Sequence, residues 1–88
     1  MHLTIYGRRG GLNGMPVAAA QIDPQDGEVA RRFRWYLGGR KGRYVMACTP
    51  TGTVLLHRLL LDARPGQRVG HRNGDALDNR RANLLVLD

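Results

Sequence analysis

His71, Asn73, Asn79 and Asn83 crowd into one short stretch around the dipeptide Asn73-Gly74. These residue types can do chemistry together. A histidine titrates near neutrality and can take a proton from water. Amide and carboxylate oxygens are hard donors that suit Mg2+ or Mn2+. Metal-assisted phosphodiester hydrolysis requires a base for water, a divalent cation on the scissile phosphate, and groups that place both. Asn-Gly flanked by extended residues predicts a tight hairpin. Asn79 and Asn83 lie four apart, so a helix spanning them carries both on one face. A histidine on the hairpin beside polar groups on that helix is the layout such a site needs.

The remaining elements must position this stretch. Leu3 to Ile5 reads as a short strand, and Arg8 to Gly14, with three Gly and two Arg, as a basic loop. Met15 to Ile22 is apolar and predicts a second strand. Asp23-Pro24 then signals a helix start, with Asp23 as cap, Pro24 in the first turn and Asp26 favourable to the dipole. That helix is expected to continue over Glu28 to Arg34, with Val29, Ala30 and Phe33 as its apolar face and Trp35 in the core. Trp35 to Leu37, Tyr44 to Thr49 and Thr53 to Leu56 have strand composition and predict a meander. Its turns are the basic Gly38 to Arg43 and Pro50-Thr51-Gly52. His57 to Asp62 reads as a short helix stopped before Pro65-Gly66, with His57 packing beside the meander or capping a carbonyl. Val69 to Arg72 and Ala76-Leu77 flank the Asn-Gly turn, and Asp78 or Asn79 caps a last helix that runs to Asn83 or Leu84. Leu84 to Leu87 closes the chain as a strand or apolar tail. Together these predict an α+β fold in one domain: a small antiparallel sheet over 1–55, then a ββα hairpin-helix unit over 56–88.

The chain has 88 residues, 12 of them Gly and four Pro, so its core is thin. Net charge is +7, from 14 cations against seven acids; all the cations except Lys41 are arginine. Arginine forks match phosphate oxygens and stack on bases, and a basic balance of this size attracts polyanions, nucleic acid first among them. Arg31, Arg32, Arg34, Arg40, Lys41 and Arg43 face a single Glu over residues 28–43, which predicts phosphate contact there; Arg72, Arg80 and Arg81 add charge beside His71. The single cysteine, Cys48, excludes an intrachain disulfide and a multi-cysteine zinc site. No apolar run approaches transmembrane length, and residues 1–9 lack the apolar run of a secretion signal. A cytoplasmic location is expected, in a host cell if the chain is phage-encoded, with no membrane partner.

At the motif level the chain resembles a known family. Leu56-His57-Arg58, then Val69, His71, Asn73, Gly74, Leu77, Asp78, Asn79, Arg80, Asn83 and Leu84, are similar to the pattern of the phage and homing HNH endonucleases, a branch of the ββα-metal (His-Me finger) nucleases. Val17 to Trp35 resembles the family's leader segment, and Tyr44-Val45 its meander. The resemblance implies roles. His71 is the general base and Asn83 a metal ligand on the helix. Asn79 holds the loop around the histidine, and Asn73 and Gly74 form the turn. It implies a ββα-metal finger over 56–88, with Mg2+ or Mn2+ as cofactor and DNA as partner, in a monomer or homodimer. One position departs: Gly70 stands where the family has an aspartate ligand, and Asp75 and Asp78 are the acids nearby. The expected function is a small basic DNA endonuclease that hydrolyses or nicks phosphodiesters, weakened by Gly70. The alternative is a degenerate HNH-fold protein of phage origin that binds nucleic acid, or inhibits a host protein, without cutting.

Overall fold

The computed structural model describes residues 1–7, 14–38 and 44–87. Most of the basic loop after Gly7, and Arg40, Lys41 and Arg43, lie outside the described residues. The described chain is a small α+β fold with a mixed five-stranded sheet and two short α-helices: β1 (His2–Tyr6), β2 (Pro16–Gln21), α1 (Gly27–Ala30), β3 (Tyr36–Gly38), β4 (Tyr44–Thr49), β5 (Gly52–Leu55), α2 (Leu56–Leu60), β6 (Arg68–His71) and β7 (Leu84–Leu87). No described helix is long and apolar enough to cross a membrane.

Alternation builds the sheet. In β1, Leu3 and Ile5 are buried while His2 and Thr4 face out; in β4, Val45 and Ala47 are buried while Tyr44 and Cys48 face out. These residues pack with Ala20, Ile22, Ala30, Trp35, Leu56, Leu60 and Leu84 into one apolar cluster. The strand order is β2-β1-β3-β4-β5. The expected antiparallel sheet is corrected at its centre: β1 runs parallel to β3, joined at Tyr6 and Tyr36. The segment after β2 crosses over and brings Trp35 back beside β1, where Tyr6 N donates to Trp35 O at 2.9 Å.

The helix expected from Asp23 to Arg34 is a 3-10 turn, Pro24–Asp26, followed by the single turn of α1. Its continuation is pre-empted. Ala30 O accepts from Phe33 N at 3.2 Å and from the buried Trp35 Nε1 at 2.8 Å, so it is not left to a longer helix. Asp23 is not a side-chain cap either; its Oδ2 accepts from Arg81 N at 3.0 Å, across the fold.

The C-terminal unit also departs from expectation. β6 pairs antiparallel with β7, His71 opposite Leu84 and Gly70 opposite Leu85. Residues 72–83 form the loop between them, so Ala76-Leu77 is not the partner strand. The Asn-Gly turn closes one step earlier, with Gly74 N donating to His71 O at 3.0 Å and Gly74 at φ +75°. The last helix is replaced by a 3-10 turn, Arg81–Asn83, and a complete ββα finger is not present among the described residues. The reason lies in side-chain competition. Asp75 N donates to Asn73 Oδ1 and Leu77 N to Asp75 Oδ1, both at 2.9 Å. Such local bonds replace helical ones. The loop then docks on the sheet edge: Gln21 N donates to Leu77 O at 2.7 Å and Asn79 N to Gln21 O at 2.8 Å.

Candidate active site

Two turns deliver His71 to its place. Helix α2 ends with Ala63 N on Arg58 O (3.0 Å) and Asp62 N on Leu59 O (3.2 Å), with Asp62 at φ +51°; this is the Schellman arrangement. Arg64 to Gln67 is then a reverse turn with Pro65 and Gly66 at its centre and Gly66 at φ +87°. Arg58 fastens that turn, donating from Nη1 to Gln67 O and from Nη2 to Arg64 O. Strand β6 therefore returns past α2, and His71 meets His57.

The two imidazole centroids are 5.0 Å apart with planes tilted by 57°, and Tyr44 flanks His57 at 5.9 Å. His57 does pack beside the meander, as expected, but it also forms a wall of the site. It is only 6% exposed. Burial pushes its pKa down to about 4, and His71 and Arg58 act in the same direction, so it is neutral at pH 7.

Asn79 sets the orientation of His71. Its carboxamide is buried, and Nδ2 donates to Ala76 O at 3.0 Å. Oδ1 then faces His71 Nε2 at 2.9 Å. A carboxamide oxygen only accepts, so Nε2 carries the hydrogen, and in the neutral ring the lone pair is on Nδ1. A basic nitrogen is thus fixed at a half-buried position next to a neutral ring.

Asn83 is placed differently from the expected helix-borne ligand. Its Nδ2 donates to Asn73 Oδ1 (2.9 Å) and Asp78 O (2.8 Å), and its Oδ1 accepts from Asn73 N (3.2 Å). It is a fastener of the 72–83 loop. Asn73 shares that task and reaches Asp78 Oδ2 at 3.1 Å. Asp78 is buried and paired with Arg80 at 2.7 Å. The Arg80 guanidinium holds its carboxyl down at about 2 against the opposing effect of burial. No group of three or more His, Cys, Asp or Glu positioned for a metal exists among the described residues. Asp78 is engaged, Asp75 Oδ1 serves Leu77 N, and Gly70 has no side chain. These donors do not fit a resident hard cation held by protein oxygens alone.

Gly70 is not held by a left-handed backbone, since it is not among the positive-φ glycines. A Cβ there would stand 3.1 Å from Leu87 Cδ1, the end of a 44%-exposed side chain. Alternation points that Cβ away from the face of His71. The resemblance puts an aspartate ligand at this position, but a side chain here would project from the opposite face of β6 from His71.

The arginines divide. Arg31, Arg32 and Arg72 are exposed and make no side-chain bond among the described residues. Arg34 lies 4.0 Å over the Tyr6 ring and donates to Gly14 O. Arg80 and Arg81 are committed to Asp78 and Asp26, the latter pair at 2.8 Å. The long-range Arg81–Asp26 link gave no signal in the sequence beyond opposite charge. Compared with family models, curated proteins and solved structures, the chain matches none.

Proposed function

We propose that this protein binds DNA through its arginine-rich surface and nicks phosphodiesters slowly, in the manner of an HNH endonuclease, with His71 Nδ1 as general base. The observation that carries the reading is the His71–Asn79 bond: a buried carboxamide selects the Nε2-H tautomer and leaves a basic lone pair at a defined position. The HNH resemblance of residues 56–84 supplies the reaction class, and with it Mg2+ or Mn2+ as the cation at the phosphate. The chain's own contribution is to fix the base, exclude its second tautomer, and hold the DNA backbone with Arg31, Arg32 and Arg72. Slow turnover follows from the absence of a free carboxylate beside His71 among the described residues.

The same absence favours a second reading, in which the domain binds DNA without cutting it. A supercoiled-plasmid assay with Mg2+, Mn2+ or EDTA separates the two, run beside His71→Ala and Gly70→Asp. Metal-dependent nicking lost in His71→Ala supports the nuclease. A carboxylate at position 70 projects from the opposite face of β6, toward Leu87, and is expected to leave the nicking unchanged. Salt-sensitive binding with no nicking under any metal leaves the binding module.

A further inference from the structure

We propose that His57 and His71 form a two-imidazole site for a borderline transition-metal ion, of which Zn2+ is the type, with water completing its coordination.

The pairing is not local. His57 comes from α2 and His71 from β6, and the fold brings their ring centroids to 5.0 Å. Two imidazoles sharing one ion at the usual Zn–N distance have centroids roughly 4.5–5.2 Å apart for angles between square-planar and tetrahedral. Ordinary ring contacts span that distance too, so spacing alone does not decide.

Two further observations point to an ion. A metal-bound histidine characteristically donates its other ring N–H to an acceptor that fixes its tautomer. Buried Asn79 Oδ1 does this for His71 at 2.9 Å, leaving Nδ1 as the donor to an ion. His57, only 6% exposed, makes no hydrogen bond among the described residues. Yet no fully buried side-chain nitrogen is left without a partner, so its unbonded nitrogens retain access to solvent. A solvent-accessible imidazole with uncommitted nitrogens, 5.0 Å from a ring whose tautomer is fixed, is a two-nitrogen donor set open to an ion. Imidazole selects Zn2+, Ni2+ or Cu2+ over Mg2+, and this set is the converse of the missing hard-oxygen cluster. The site stands whether or not the protein cuts DNA. If it does cut, the ion occupies the lone pair that activates water, and Zn2+ blocks nicking.

The test uses the full chain stripped with EDTA and titrated with Zn2+ by calorimetry, with imidazole 15N shifts recorded in parallel. One Zn2+ per chain is expected, with shifts at His71 Nδ1 and at one His57 nitrogen. His57→Gln and His71→Gln should each weaken binding by at least about tenfold, while His2→Gln changes nothing. Mg2+ should leave both rings unmoved. No Zn2+ binding, shifts confined to one of the two rings, or affinity governed by His2 would overturn the site. The wild-type shifts decide it even if a histidine variant fails to fold. Loss of plasmid nicking, by contrast, bears on the nuclease reading alone.

Discussion

Asn79 is the residue on which the site turns. Replacing it with Ala removes the acceptor for His71 Nε2 and the donor to Ala76 O at a buried position. Asn79→Ala is expected to cost about 1–3 kcal/mol in denaturant unfolding and to let His71 populate both tautomers, visible in its 15N shifts. His57 adds a pH signature. Its folded pKa of about 4 lies below the ordinary value of 6.5, so between those values the unfolded chain binds the extra proton. Stability is then full above 6.5 and declines as pH falls toward 4. The charged and titratable groups about it are His71, Arg58 and Tyr44. His57→Gln should flatten this part of a stability–pH curve. Asp78 acts lower: its contribution is present above its ordinary range near 4 and is lost as pH falls through about 2. The motif resemblance put Asn79 beside the histidine as the residue that holds its loop, but that its Oδ1 meets the imidazole directly was not legible in the sequence. The sequence misplaced Asn83 because spacing of four reads as a helix, and nothing local announces that Asn73 and Asp75 will take the backbone donors first.

At the scale of elements, strands were legible wherever one face is buried. β1, β2 and β4 follow from alternation or apolar runs, and β7 from a continuous apolar tail. The parallel joint between β1 and β3 was not, since it depends on where a crossover returns rather than on any local pattern. Nor was the docking of the 72–83 loop on β2 and on the 3-10 turn before α1, which rests on Gln21 and on the Arg81–Asp26 pair. That pair makes a prediction. Asp26 is 4% exposed, and removal of Arg81 leaves its carboxylate without its charged partner. Arg81→Ala should lower stability by about 1–3 kcal/mol, less than a fully buried pair because Arg81 itself is partly solvated. It should leave the salt dependence of DNA binding nearly unchanged. A variant of normal stability would show that Gln21 and the bond from Arg81 N to Asp23 suffice to hold the loop.

For the whole molecule the governing quantity is the net charge of +7. Charge of this size raises the local concentration of a polyanion, but only cations free of internal partners can displace counterions from it. The structure therefore ranks the arginines in a way composition cannot. Arg80 and Arg81 neutralise Asp78 and Asp26, and Arg34 is stacked on Tyr6. Arg31, Arg32 and Arg72 remain available, and Arg72 adjoins His71. Each phosphate contact contributes roughly −0.9 to the slope of log K against log salt on duplex DNA. Replacing Arg31, Arg32 and Arg72 together by Gln should make that slope shallower by about 2–3, with little loss of stability because no internal bond is broken. Replacing Arg40, Lys41 and Arg43 tests the basic turn in the same way. Fluorescence anisotropy on a short duplex from low to physiological salt reads both. A wild-type affinity that ignores salt removes DNA as the partner. A slope unchanged by the triple Gln variant moves the interface away from these three arginines.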